Sequence, residues 1–340
     1  MRVNSLSIKN FRCFKELHIS FSHRVMIVGK NGSGKSSLLE AVYFIINGKS
    51  FRTTELTDMI KDDKKHLFVE SNYKDDFDWI HDTTFGFDRD GRKKIIQDGE
   101  PAYRKNVMKG SSIVVHSPED IQIIDGPPSK RRDFLDRAIF LTHKEFYNTV
   151  VNYKSYLKQK RILLKNNNKN GLLYLNRAVV PYIKEIETMR LDVAQTIEKK
   201  STAILKEMSL PFSISINLPD REKNIEEKLN SKIDKELIKG YSLYGPHLDN
   251  IQINVMNRRG KSISMGEKSL ISLILKFAEV QLLNDLGIKS LFIGDDIIGF
   301  IDKKRSDMIF SYCHTMDNQF ILSHIEVEHK KEEWEYITLN

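Results

Sequence analysis

The residues whose types and spacing point most directly to chemistry are Gly29-Lys30-Asn31-Gly32-Ser33-Gly34-Lys35-Ser36-Ser37. An apolar run, 25–28, precedes them and a helical pattern follows. The spacing G-x-x-x-x-G-K-S between a strand and a helix is that of a phosphate-binding loop. Its glycines let backbone N–H groups turn toward a triphosphate, and the start of the helix adds partial positive charge. Lys35 is expected to reach the β- and γ-phosphates, and the Ser36 hydroxyl to bind Mg²⁺. ATP with Mg²⁺ is therefore the expected ligand.

Other residues complete such a site only in combination. Ser290-Leu291-Phe292-Ile293-Gly294-Asp295-Asp296 reads as an apolar strand ending in two acids. A carboxylate there, Asp295, would hold the metal's shell beside the phosphate loop, and Asp296 would position or activate the attacking water. Two acids after an apolar run are a weak signal alone and a strong one beside a phosphate loop. His324 ends the apolar stretch 319–324 and is a candidate γ-phosphate contact. Arg12, in the loop before the second strand, is either a nucleotide contact or the surface arginine of a turn. Ser264-Met265-Gly266-Glu267-Lys268 opens a helix. It is either a second anion-binding terminus or a serine cap with Glu267 at the third helical position.

These groups need an α/β frame. Val3, Leu6 and Ile8 alternate with polar neighbours, Leu17, Ile19 and Phe21 do likewise, and 25–28 is a buried strand. Leu38, Leu39, Ala41, Val42, Phe44 and Ile45 give the helix after Lys35 an apolar face, and Gly48 ends it. Short strands and turns fill 51–115, including a hairpin turning at Asp90-Gly91. From Ser129 to about Met208 the pattern is helical and highly charged, broken by the polar loop 166–171. The recurrence of Ile186, Met189, Val193, Ile197, Ile204 and Met208 predicts antiparallel helices packed as a separate lobe. Near 240 strands and turns return. The expected division is a discontinuous lobe, 1–117 with 241–340, and an inserted helical lobe, 118–240.

With 340 residues, 40% of them hydrophobic and 29% charged, the chain matches an ordinary globular protein large enough for two lobes. It has no apolar run of about 18 residues, so no membrane span is expected. The polar start and the two distant cysteines, Cys13 and Cys313, fit a cytoplasmic protein without a disulfide. A net charge of +8 suggests a polyanionic partner, nucleic acid first. Lys130-Arg131-Arg132, Lys158 with Lys160-Arg161, and Lys199-Lys200 are the candidate phosphate contacts, against the alternative of an ordinary solvated surface.

The order of phosphate loop, helical insertion, Ser-x-Gly turn, double acid and strand-end histidine resembles the ABC-type ATPase heads. Within these, the chain is similar to the RecF family of bacterial recombination and repair ATPases. Asn10-Phe11-Arg12, Leu39-Glu40-Ala41, Gly48-Lys49-Ser50-Phe51-Arg52-Thr53 and Leu243-Tyr244-Gly245-Pro246-His247 carry that similarity. So do Ser117-Pro118-Glu119-Asp120 and the pattern from Gly126 through Pro128, Arg131, Arg132 and Phe134-Leu135-Asp136. The chain departs from the pattern at Pro127, Leu248 and the Glu267-Lys268-Ser269 form of the helix start. It departs again at Gly299-Phe300-Ile301-Asp302, where the family usually has Ser-Glu-Leu-Asp.

The resemblance implies an ABC-type P-loop ATPase head, a mixed sheet with flanking helices, carrying an inserted mainly α-helical second lobe. It implies a head-to-tail homodimer formed with ATP, each nucleotide held between one phosphate loop and the partner's Ser264–Gly266 turn. It further implies binding to double-stranded and gapped or junction DNA, release by slow DNA-stimulated hydrolysis, and help for RecA loading with RecR and RecO. The alternatives are an SMC-like head, which would need long coiled-coil arms; a transporter ATPase, which would need a membrane partner; and an ATP-gated DNA-binding switch without hydrolysis.

Overall fold

A computed structural model of the chain describes residues 1–103, 107, 112–143, 145–256, 258–325 and 331–340. They form two compact units, 1–120 with 265–340, and 121–264.

In the first unit β1 (Arg2–Phe11), β2 (Phe14–Ser20), β4 (His66–Lys74), β5 (Ile80–Asp88), β6 (Lys93–Gln97) and β7 (Glu100–Pro101) form an antiparallel sheet in the order β2-β1-β4-β5-β6-β7. The second sheet has the order β14-β3-β13-β12-β8 and is parallel throughout. Its strands are β3 (Arg24–Gly29), β8 (Ile113–His116), β12 (Leu291–Gly294), β13 (Phe320–His324) and β14 (Glu335–Leu339). Interior parallel strands are covered on both faces and so read as unbroken apolar runs. That is why Val25, Met26 and Ile27 are all fully buried.

Helix α1 (Lys35–Asn47) joins the core shared by both sheets. Phe44 stacks edge-on against Phe85 of the antiparallel sheet at 4.5 Å, while Leu39, Val25 and Ile321 belong to the same cluster. Covered from two sides, α1 is apolar around most of its circumference instead of along one stripe. Gly48 ends it at φ 56°, as expected. The hairpin between β5 and β6 turns at Gly91, φ 85°.

In the second unit the helices are α2 (Gln122–Asp125), α3 (Pro128–Thr142), α4 (Phe146–Lys165), α5 (Lys169–Glu207), α6 (Ile225–Asn230) and α7 (Ile233–Lys239). The polar break between α4 and α5 falls where the sequence places it. Asn168 caps α5 by accepting from the Gly171 N–H at 2.9 Å. The remaining helices, α8 (Met265–Asp285) and α9 (Lys303–Thr315), belong to the first unit.

The division differs from the expected one at 241–264, which pack with the helical unit. Strand β10 (Gln252–Val255) pairs with β9 (Ile214–Asn217) and with the short β11 (Arg258–Arg259), all between the same two boundaries. Buried Arg190 of α5 adds a clamp, donating to the Pro246 carbonyl at 2.7 Å and pairing with Asp136 and Asp249 at 2.7 Å each. A strand needs a neighbour for its N–H groups, and here the neighbour lies in the insertion.

Candidate functional site

In the parallel sheet Val28 of β3 lies opposite His324 of β13, and Gly294 of β12 opposite both Leu322 and His116. All four strands therefore end on one edge, where open α/β sheets place their ligands. The phosphate loop, the double acid and His324 are neighbours for that reason. The loop and the two acids border a cavity of about 350 Å³ lined by Asn31, Gly32, Gly34, Lys35, Ser36, Ser37, Asp295 and Asp296; His324 stands behind Asp296 and does not line it.

Gly34 has φ 98°, and a Cβ on it would stand 2.5 Å from the Phe14 ring, so this position excludes side chains on two grounds. Lys35 is buried, and its Nζ donates to the carbonyls of Gly29 and Lys30 at 2.7 and 2.9 Å. The Ser36 hydroxyl donates to Asp295 Oδ1 at 2.9 Å. The same oxygen accepts from the Ser323 hydroxyl at 2.7 Å, and Ser323 Oγ in turn accepts from the Asp296 N–H at 3.0 Å. Asp295 is thus oriented from two sides. A hydroxyl and a carboxylate held together on a phosphate-sized cavity fit Mg²⁺, which prefers hard oxygen donors and keeps places for phosphate oxygens and water.

Asp296 adopts φ 47°, a left-handed conformation rare for a residue with a side chain. Its carboxylate lies 3.2 Å from His324 Nδ1. A Cβ on Gly299 would stand 2.5 Å from Asp296 Oδ2. The departure from the family pattern at 299 therefore removes a side chain where the carboxylate sits. Farther along that segment, the Phe300 carbonyl would stand 2.7 Å from a Cβ on Gly266, the second residue of α8. The segment after the double acid and the helix start that carries Gly266 are therefore close neighbours. Gly266 does not line the cavity, and Ser264 immediately precedes α8.

The structure does not bring Arg12 into the cavity. Its Nε and Nη2 grip the buried Glu40 carboxylate at 2.9 and 2.7 Å, and Nη1 donates to the Asp58 carbonyl at 2.7 Å. The Arg12 guanidinium has its pKa raised by that hydrogen bond to Glu40. Glu40 also accepts from Ser50 and Arg52, so three separated stretches of sequence meet on one carboxylate. Arg52 does line the cavity, as do Cys13 and Pro118. Arg52, which borders the cavity, and Ser323, which orients Asp295, were not singled out as site residues from the sequence; only the fold places them there.

Among the eight cations proposed as phosphate contacts, Arg131, Arg132 and Lys160 have partners within the protein. Arg131 is buried and donates to the Ile251 and Gly126 carbonyls at 2.5 and 2.8 Å. Arg132 donates to the Asp249 carbonyl at 2.7 Å. Lys160 is fully buried against Glu236 at 2.8 Å. Arg131 and Lys160 are thus taken up inside the helical unit, while Arg132 is half-buried with one nitrogen engaged. Lys158 and Arg161 remain exposed, joined by Lys154 and Lys165 at helical spacing along α4, and Lys199 of α5 is also exposed.

Below the site His116 ends β8, its carbonyl accepting from the Asp295 N–H at 2.8 Å. Its Nε2 meets Ser272 Oγ at 3.0 Å, and that hydroxyl donates onward to the Ser269 carbonyl, so Nε2 carries the proton. Burial pushes the imidazole pKa down to about 4. The unfolded chain therefore binds a proton near pH 6.5 that the folded chain refuses until about pH 4. Stability is complete above pH 6.5 and falls as the pH drops, by about 2 kcal/mol at pH 5 from this group alone. The thermal midpoint should decline from pH 7 to pH 5, and less so in His116→Gln. Equal declines would remove His116 as a cause.

Phosphate loop, strand-end carboxylates and histidine on one edge of a parallel sheet define an ABC-type P-loop ATPase head. The RecF/RecN/SMC N terminal domain pattern matches residues 2–338, and the chain belongs to that family. DNA replication and repair protein RecF of Chlamydia trachomatis is 30% identical over 97% of this chain and 94% of its own length. The Clostridioides difficile protein of the same name is 26% identical over 97% and 93%. A solved structure of the recombination mediator protein RecF-ATP in the RecFOR pathway shares 25% identity, with a TM-score of 0.83 over 97% of this chain and 93% of that one. An SmcHead bound to the C-winged helix domain of ScpA is 18% identical, with a TM-score of 0.61 over 96% and 90%, and shares the fold. Among the described residues no helix is long and apolar enough to cross a membrane.

Proposed function

We propose that this chain is an ATP-dependent DNA-binding protein of recombinational repair and replication restart, which dimerises head to tail on ATP and releases DNA on slow hydrolysis. The observation that carries the reading is the cavity itself, which gathers Lys35, Ser36, Asp295 and Asp296 but not Gly266. One copy supplies a phosphate cradle, a metal carboxylate and a water-positioning carboxylate; the Ser264–Gly266 turn is left to serve a second copy's nucleotide. Mg²⁺ held by Ser36 and Asp295 would neutralise charge on the phosphates. Lys35 would exchange its two loop carbonyls for β- and γ-phosphate oxygens. Asp296 would orient water, with His324 fixing its carboxylate. Because ATP bridges two copies only in the closed state, it stabilises that state and shifts the population toward it.

ATP turnover, measured with and without duplex DNA, tests the enzymatic part. If ATP and DNA bind tightly yet turnover stays at background in the dimer, the chain is a non-hydrolysing switch. The relatives' names support DNA as partner and the RecFOR pathway as setting, with RecR, RecO and RecA as the proteins to test. The exposed row Lys154, Lys158, Arg161 and Lys165 is the surface on which phosphate contacts are expected. Lys158→Glu with Arg161→Glu should reduce the log–log salt slope of DNA binding by about 2. An unchanged slope in a titration over salt would move the contacts elsewhere.

A further inference from the structure

The turn between β4 and β5, Asp75-Asp76-Phe77-Asp78-Trp79 leading into Ile80, is exposed, apolar and rigid together. Phe77, Trp79 and Ile80 are 62%, 70% and 63% exposed. Large apolar side chains grouped on a surface mark interaction sites when the backbone beneath them is held. Here it is held firmly. Asp75 Oδ1 accepts from the N–H groups of Phe77 and Trp79 at 2.8 and 3.0 Å, and the Asp75 N–H donates to the Trp79 carbonyl at 2.9 Å. Asp76 pairs with the N-terminal ammonium at 3.2 Å and accepts from Ser112 Oγ at 2.8 Å. Asp78 stands at φ 70° with Lys74 Nζ at 2.8 Å. His81 lies between Asp75 and Asp98, at 3.3 and 2.7 Å.

The charge around the turn selects its partner. Among the described residues Asp78, Asp82, Asp98 and Glu100 are exposed at this end of the sheet, against Arg2, the half-buried Lys74, the N-terminal ammonium paired with Asp76, and Lys289, itself paired with Asp317. A phosphate backbone or an anionic lipid surface would be repelled there, although the chain as a whole is basic. The turn also lies at the end of β1 and β4 opposite the Phe11–Phe14 hairpin, about 30 Å along the strands from the phosphate loop. A partner seated there leaves the nucleotide cavity open.

We propose that this turn is a preorganised docking element for a protein partner with an apolar pocket rimmed by lysine or arginine. Choosing RecR and RecO as probes rests on the function proposed above. The chain's two tryptophans are Trp79 and Trp334, and Trp334 is only 4% exposed, so Trp79 reports directly on docking. Purified full-length chain is titrated separately with RecR, RecO and duplex DNA, and is also concentrated alone, while emission is followed. The expected result is a blue shift with RecR or RecO that weakens with salt. In Phe77→Ser/Ile80→Ser, affinity for that protein should fall at least 10-fold, while ATP-dependent DNA binding and thermal midpoint are retained. No shift with either protein, a shift produced by DNA, or one produced by self-concentration would each overturn the proposal. Failure of ATP-dependent DNA binding in the unaltered chain would instead overturn the function proposed above.

Discussion

Lys35→Met should abolish ATP-dependent self-association. Lys35 is the buried cation inside the phosphate loop, and methionine preserves much of its length without charge or donor. Charge-assisted hydrogen bonds contribute about 1.5–3 kcal/mol each, so losing those to two phosphates should weaken ATP binding by about 100-fold or more. Under the proposed function the loss extends to the dimer, because there the nucleotide joins the copies. Sedimentation with and without ATP reads this directly, and an unchanged ATP-driven dimer would end the assignment of Lys35 as the phosphate cation. The substitution also strips the Gly29 and Lys30 carbonyls of their donor, so the thermal midpoint must be measured alongside.

Asp296→Asn should separate binding from turnover. Asparagine tolerates the left-handed backbone at 296 and keeps an oxygen for His324 Nδ1, so the local geometry survives. What disappears is the negative charge proposed to position or activate the attacking water. General-base contributions of this kind amount to about 10²–10⁴-fold in rate. ATP should bind and dimers should form, but dissociation after an ATP chase should slow in proportion to turnover. A dimer that comes apart at the normal rate would show that Asp296 does not position the water. Gly299→Val is an informative companion. Its side chain would press on the Asp296 carboxylate, so turnover should fall without loss of the residue itself.

Each expectation rests on a residue marked by its own short stretch of sequence. A phosphate loop is a local device: the turn geometry of Gly32 and Gly34, the lysine and the helix start all belong to one short stretch. The strand-end acids and His324 are local in the same sense, since each follows an apolar run. Their meeting is nearly implied by parallel strands, whose C-terminal ends must share an edge. The helical texture of the insertion was equally legible, because periodicity of buried residues is written along the chain.

Where long-range partners decide, the sequence was silent or misleading. Arg131 looks like part of a phosphate-binding patch, yet it is buried and its Nε donates to a carbonyl 120 residues away. Lys160 reads as one member of a basic run and is a buried partner of Glu236. Arg12 was the candidate arginine, yet Glu40, buried in α1, holds it away from the cavity, and Arg52, not singled out in the sequence, borders it. Residues 241–264 alternate like the ATPase lobe they precede, but their backbone donors find neighbours in the helical unit. Chemistry carried by a contiguous motif depends on local dihedral angles, and these the amino-acid order alone determines. The role of a single charged side chain depends on which distant group replaces its water, and only the tertiary structure decided that.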